Sequence, residues 1–195
     1  SLDLSYTQVG VLLTVPGLVS TIVEPFLGVL GDIWKRRLLI LGGGILFSLA
    51  LLLTGLSSGF VLLLISFCLF YPASGAFVSL SQATLMDVDP TRHDQNMARW
   101  TFAGSLGVTL GPLLLVGLSA LGFGWRGVFL ALGMLAGMVV LFVWRKIPIP
   151  AISHPNLPNW RDLFSGFRAA FAAMKRREVL RWLILLQFSD LMLDV

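Results

Sequence analysis

Residues 28–37 read GVLGDIWKRR, and a long apolar segment lies on each side of this charged stretch. The segment before it, residues 9–30, and the segment after it, residues 38–56, are each long enough to cross roughly 30 Å of hydrocarbon at about 1.5 Å per residue. A short basic connection between two such segments is typical of transmembrane helices joined by a loop. The stretch therefore predicts a membrane-spanning α-helical fold.

The composition of the whole chain indicates the same class. Hydrophobic residues make up 56% of the chain and charged residues 12%, and the mean hydropathy is +0.88, whereas a soluble domain carries roughly 25% charged residues. Further apolar segments cover residues 60–86, 100–121 and 127–144, and another begins at residue 182. We therefore expect an all-α membrane protein, a polytopic transmembrane helix bundle with five complete spans and the start of a sixth.

The basic residues predict the orientation of this bundle. If successive connections alternate sides, Arg126 is the one Lys or Arg on its side of the membrane. Lys and Arg accumulate in cytoplasmic loops, so residues 31–37, 87–99 and 145–181 are expected to face the cytoplasm, from a plasma membrane or a bacterial inner membrane. Because the charges lie at the ends of apolar segments, not along a face with interleaved aromatic residues, nucleic acid is not an expected partner.

The connection at residues 145–181 contains aromatic and apolar residues at spacings of three and four. This spacing predicts an amphipathic helix at about residues 160–177 that is too charged to cross the membrane and lies in the headgroup region. It is either a connector between two transmembrane halves or a solvated linker. We favour the connector, because residues 156–159 form a plausible helix start.

One face of the first span is small and acidic. An ionised carboxylate near the middle of a bilayer costs at least about 2.5–3.5 kcal/mol, so Glu24 is expected to face protein or a water-filled cavity, or to stay protonated. Pro25 frees the carbonyl of Thr21 and permits a bend at this depth. Glu24 is either a proton or substrate site or a structural hydrogen-bond partner of a neighbouring helix. The face consists of Gly17, Thr21, Glu24, Gly28 and Asp32.

Other polar residues within apolar segments are further candidates. Asp190 and Asp194 lie with Gln187 on one face of the last segment, and two carboxylates there indicate a function unless Asp190 lies in the hydrated interface. Gln82 in the third span either binds a substrate or forms a hydrogen bond between helices. Cys68 is the single cysteine, so an intrachain disulfide is excluded, and neither a metal site nor a cofactor is expected.

Small residues in the fourth span lie on one face, where they would let two helix backbones approach closely. Gly133 and Gly137 repeat this spacing in the fifth span. The fourth-span set is Gly104, Gly107 and Gly111, followed by Pro112.

Residues 28–37 resemble the loop signature of the major facilitator superfamily. The matching elements are Gly28, Asp32 and the basic pair Arg36 and Arg37, between two spans on the basic side. Ile33 and Lys35 depart from the signature, which prefers a basic residue and Gly at these positions.

Residues 107–112 are similar to the fifth-helix signature of antiporters in that superfamily. Leu114 and Leu115 replace its closing Gly pair. The arginine motif of the family's fourth helix has no counterpart in residues 60–86, which argues against a proton–drug antiporter.

The resemblance implies a particular assembly. Residues 1–144 would form a partial N-terminal bundle without the family's first helix, residues 145–181 the central loop, and residues 182–195 the start of a C-terminal bundle that lies mostly outside the chain. The expected partners are membrane lipids, a small-molecule solute, a proton or other coupling ion, and that missing C-terminal bundle.

The resemblance further implies a secondary active transporter that moves a small solute by alternating access. Asp32 and Arg36 would belong to a charge cluster that latches the two bundles, and Glu24, Asp190 or Asp194 would couple transport to protons, with export favoured. Two other functions stay open, an integral membrane enzyme acting on lipid-linked substrates and a non-transporting membrane scaffold. Only scattered interfacial His, Asp and Arg residues support the enzyme, and the scaffold leaves the acidic faces unexplained.

Overall fold

The computed structural model describes residues 4–146, 164–169, 172, 175–181 and 184–185. Within these residues, five helical spans are long and apolar enough to cross a membrane. The predicted all-α polytopic bundle is therefore confirmed. The sixth predicted span lies outside the described residues, apart from residues 184–185, which are helical.

The helices follow one another with short connections. The third span is one continuous helix in three parts, α3, a π-helical segment at Gly75–Ser79, and α4, and a 3₁₀ turn at Pro90–Arg92 follows it. The α-helices are α1 (Tyr6–Ile33), α2 (Arg36–Leu56), α3 (Phe60–Ser74), α4 (Leu80–Val88), α5 (His93–Ala120) and α6 (Gly124–Lys146).

The first helix begins earlier than its apolar segment. The apolar segment starts at residue 9, but α1 already begins at Tyr6. The Gln8 amide donates to Ser5 Oγ at 3.3 Å, and the Ser5 amide donates to Gln8 Oε1 at 2.9 Å. This reciprocal capping box satisfies free amides at the helix start, so polar residues begin the helix.

The connection between the third and fourth spans is much shorter than the loop we expected at residues 87–99. α4 continues to Val88 and α5 begins at His93. Asp89 Oδ1 accepts a hydrogen bond from the Thr91 amide at 3.1 Å and caps the intervening turn. Most of the charged residues of this segment therefore lie on helical turns, which hydropathy alone cannot distinguish from a loop.

α2 lies at the centre of the bundle and packs against both α3 and α6. A Cβ added at Gly43 would lie 2.7 Å from the Ala76 Cβ, and one added at Gly133 would lie 2.9 Å from the Leu52 side chain. Since real Cβ atoms essentially never lie so close to other atoms, glycine is what permits these helix contacts. The small residues Gly133 and Gly137 in α6 thus face α2, with Gly137 beside Ser48.

Buried polar groups join the helices at the end opposite the basic loops. Thr54 Oγ1 lies 3.0 Å from Ser66 Oγ, which links α2 to α3. Arg126 Nη2 donates to the Ser57 carbonyl at 2.9 Å, which links the start of α6 to the end of α2. Each hydroxyl also finds a backbone partner, so these polar atoms are satisfied within the protein, as a low-dielectric surrounding requires.

The part of the predicted amphipathic helix that the structure describes is helical at residues 164–169. The Phe167 ring packs edge-on against the Phe26 ring, with 4.6 Å between their centroids, while Phe164 is exposed. The location of residues 160–177 in the headgroup region stays a prediction.

Gly43 and its neighbour Gly42 provide a matched test of helix packing. A Cβ at Gly42 meets no atom within 4 Å, whereas one at Gly43 meets the Ala76 Cβ and the Phe77 backbone. We expect Gly43→Ala to lower the free energy of unfolding by about 1–3 kcal/mol through overpacking. Gly42→Ala should leave it unchanged or raise it by up to about 1 kcal/mol.

The measurement is unfolding in mixed detergent–SDS micelles, followed by the loss of helical circular dichroism. Equal effects of the two substitutions would contradict the packing of α2 against the third span.

Candidate functional site

Glu24 lies about two-thirds of the way along α1 and has a hydrogen-bond partner on its own helix. The Ser20 hydroxyl donates to Glu24 Oε1 at 2.5 Å. The carboxylate also lies against the third span, because a Cβ added at Gly75 would be only 2.9 Å from Glu24 Oε1. A larger residue at position 75 would displace the carboxylate, so Gly75 is what allows the two helices to meet at Glu24.

Gly75 is the first residue of the π-helical segment, Gly75–Ser79. Pro72, three residues earlier, lies inside α3 and has no amide to donate. π-Helical turns inside α-helices are rare and occur frequently at functional sites. The irregular backbone of the third span therefore lies at the level of Glu24.

A small cavity of about 140 Å³ adjoins this carboxylate. Its polar groups are the Glu24 carboxylate and the Ser79 hydroxyl, and a hydrogen-bonding solute or a proton could bind there. Glu24 is exposed in the described bundle, and hydrocarbon is an unfavourable surrounding for a carboxylate. Its exposed side must therefore meet water or another part of the protein. The cavity is lined by Glu24, Leu27, Gly28, Gly75, Ser79 and Leu80.

A charge cluster centred on Arg36 lies at the basic end of the same helices. Arg36 Nη2 contacts Asp32 Oδ1 at 2.9 Å, and Arg36 Nη1 contacts Asp87 Oδ2 at 2.5 Å. Arg36 Nε donates to the Gly31 carbonyl at 3.1 Å. The Arg36 side chain is only 11% exposed, so one nearly covered guanidinium joins the end of α1, the start of α2 and the end of α4.

The neighbouring basic residue holds a different helix. Arg37 Nη2 donates to the Trp144 carbonyl at 3.0 Å, and a guanidinium near a helix C-terminus is stabilised by the helix dipole. Gly28, another element of the loop signature, lines the cavity beside Glu24. The signature residues thus extend from the Glu24 cavity to the ends of α4 and α6.

Several predicted site residues lie elsewhere. The Gln82 amide donates to Met97 Sδ at 3.5 Å and does not line the Glu24 cavity, so the structure favours its interpretation as a contact between helices. Asp190 and Asp194 lie outside the described residues.

The glycine face of α5 has no close neighbour among the described residues. A Cβ added at Gly104, Gly107 or Gly111 meets no atom within 4 Å, and Pro112 is exposed. The tight helix crossing expected at this face therefore stays a prediction.

Two members of these sites were not among the sequence candidates. Ser20 precedes Glu24 by one helical turn, and this spacing could have indicated the hydrogen bond. Asp87 lies 51 residues from Arg36, and the only signal was an acidic residue at the basic end of a span. Within the described residues no group of His, Cys, Asp and Glu could hold a metal ion.

The family model of the Major Facilitator Superfamily matches residues 1–192. The chain belongs to the Major Facilitator Superfamily. Neither a comparison with curated proteins nor one with solved structures found a match. Membership in this superfamily supports the conclusion that the protein is embedded in a membrane and is, in general terms, a secondary transporter. It also favours a transporter over the membrane enzyme that the sequence left open.

The two carboxylates of the Arg36 cluster should differ in their effect on stability. The Asp32 side chain is 72% exposed and the Asp87 side chain 45% exposed. We expect Asp87→Asn to lower the free energy of unfolding by about 1 kcal/mol, because it removes the less hydrated partner of a nearly covered guanidinium. Asp32→Asn should cost less than about 0.5 kcal/mol.

Unfolding in mixed micelles measures both values, and a double-mutant cycle with Arg36→Gln isolates the pair energies. A larger loss for Asp32→Asn than for Asp87→Asn would refute this ranking.

Proposed function

We propose that this chain is part of a secondary active transporter that moves a small solute by alternating access, with Glu24 as the proton-coupling group. The observation that carries the proposal is the Glu24 carboxylate, which lies at a cavity in the middle of a span and against the π-helical turn of another. A carboxylate within a membrane span is energetically costly, and such residues typically mark ion or proton pathways.

Protonation would change what Glu24 can contact. An ionised carboxylate only accepts hydrogen bonds, as it does from Ser20, whereas a protonated one can also donate. The ionised form favours a state in which Glu24 meets water, and the neutral form tolerates a state closed around it. The two states therefore bind the proton with different affinities. This difference is what allows protonation to shift the population between them.

The Arg36 cluster would set the balance between these states from the basic end. Its ion pairs fix the α1–α2 connection against the end of α4, and the limited hydration of Arg36 makes those pairs stronger than freely exposed ones. A conformational change that separates α1 from α4 would break them. The cluster is thus a latch that stabilises one state of the transport cycle.

The direction and location of transport are also part of the proposal. Export is favoured by the similarity of residues 107–112 to the antiporter signature. The basic connections would face the cytoplasm, and the protein would lie in a plasma membrane or a bacterial inner membrane.

The proposal is tested on the full-length protein in two steps. An uptake and efflux screen across solute classes in expressing cells first identifies a transported solute. Its flux is then measured in proteoliposomes with and without an imposed pH gradient. We expect the gradient to drive flux in the wild type and Glu24→Gln to abolish that drive, because an amide cannot be ionised.

The matched control is Asp94→Asn, which neutralises an exposed carboxylate in the first turn of α5. It should transport as the wild type does. Flux that ignores the pH gradient and is unchanged in Glu24→Gln would remove Glu24 from the mechanism.

A further inference from the structure

An apolar groove of about 350 Å³ lies at the basic end of the bundle, and none of its lining residues belongs to the cavity beside Glu24. The volume falls within the roughly 300–1,000 Å³ typical of ligand pockets. The groove is formed between α2, the π-helical segment, α4, α5 and α6. Its lining residues include Ile40, Phe77, Thr84, Val88, Trp100 and Val143.

The walls of this groove suit a hydrocarbon chain. Its two hydroxyl side chains are Ser81 and Thr84, and Thr84 Oγ1 already donates to the Leu80 carbonyl at 2.7 Å. Val88 and Val139 are both exposed and line the groove, so the groove reaches the outer surface of the bundle. In a membrane-spanning chain an apolar outer surface meets lipid unless another span covers it, and an acyl chain is the apolar occupant that the bilayer itself supplies.

A guanidinium lies at the edge of the groove. Arg37 precedes Ile40 by three residues and lies on the same face of α2. Its Nη2 donates to the carbonyl of Trp144, the residue next to Val143. Within the described residues, the Arg37 guanidinium forms this one hydrogen bond. Its other N–H donors are therefore available to an acceptor.

The charges around this edge favour an anion. Asp87 is paired with Arg36, and Asp89 is paired with Arg92 at 3.3 Å. Asp94, in the first turn of α5, is a further carboxylate at the basic end of the bundle. The arginines that form no ion pair within the described part of the chain include Arg37, Arg99 and Arg145.

We propose that this groove binds one acyl chain of an anionic phospholipid from the leaflet on the basic side, with the lipid phosphate on Arg37. A planar guanidinium binds phosphate through paired hydrogen bonds, and basic pockets between transmembrane helices hold anionic headgroups. Trp100 lines the groove, and its amphipathic ring belongs at the level of the headgroups. The lipid would bridge α2, α5 and α6.

Native mass spectrometry of the purified protein tests the headgroup contact. Phosphatidylglycerol and phosphatidylcholine with identical acyl chains are added separately, and the lipids retained by the protein are counted. We expect about fivefold stronger retention of phosphatidylglycerol, from one basic side chain at the headgroup. Arg37→Gln should remove this preference, and Arg37→Lys, which keeps the charge but not the paired hydrogen bonds, should retain part of it. Lys35→Gln removes an exposed charge at the same end and should change nothing.

A second pair of variants tests the acyl chain. Ser81→Phe places a ring in the groove with every arginine intact and should reduce phosphatidylglycerol retention to the level of phosphatidylcholine. Val108→Phe, at an exposed position of α5 outside the groove, should retain lipid as the wild type does.

The proposal fails if the wild type retains both lipids equally, or if Ser81→Phe matches the wild type. Should Arg37→Gln lose its helical circular dichroism, the Arg37→Lys and Ser81→Phe results decide the question.

Discussion

The polar groups of the described residues are arranged as the cost of exposing charge or an unpaired hydrogen bond to hydrocarbon requires. The basic residues of the described loops lie at helix ends, where water and headgroups reach them. The polar side chains inside the bundle are paired, as Thr54 is with Ser66 and as Ser20 is with Glu24. No buried side-chain nitrogen or oxygen in the described residues lacks a hydrogen-bond partner. Glu24 differs from the other polar side chains inside the bundle, because it is an acidic residue that lies more than two turns from either helix end and is exposed.

The helices of the bundle differ in how closely they pack, with the closest contacts around α2. α2 meets the π-helical segment and α6 through glycines that allow a close approach of the helices, and such contacts are a main source of helix association where lipid is as apolar as the side chains. In the described chain α5 buries almost none of its apolar segment, and α1 buries less than half as large a share as α2 does. The Glu24 cavity lies on α1, so the group proposed for coupling belongs to a helix that has room to meet another bundle.

The sequence predicted the membrane fold well because hydropathy reports directly on the solvent of each segment. It placed the five spans and the loop signature, and small residues correctly indicated that Gly133 and Gly137 face another helix. Helix ends were less accurate, because Ser5 and Asp89 cap helical turns through hydrogen bonds that hydropathy does not record. The π-helical turn at Gly75–Ser79 was not predicted, since hydropathy does not distinguish it from an α-helix. Asp87 was missed because its partner Arg36 is remote in sequence.

The most direct test of the membrane-spanning bundle is whether its two ends lie on opposite sides of the membrane. The measurement is labelling of single cysteines at positions 35 and 126 with a membrane-impermeant maleimide, in sealed vesicles of one orientation and with Cys68 replaced by Ala. Position 35 precedes α2 and position 126 follows the start of α6, with an odd number of described spans between them. We predict that the two positions react from opposite sides. Reaction of both positions from the same side of the sealed membrane would contradict the bundle and every site built on it.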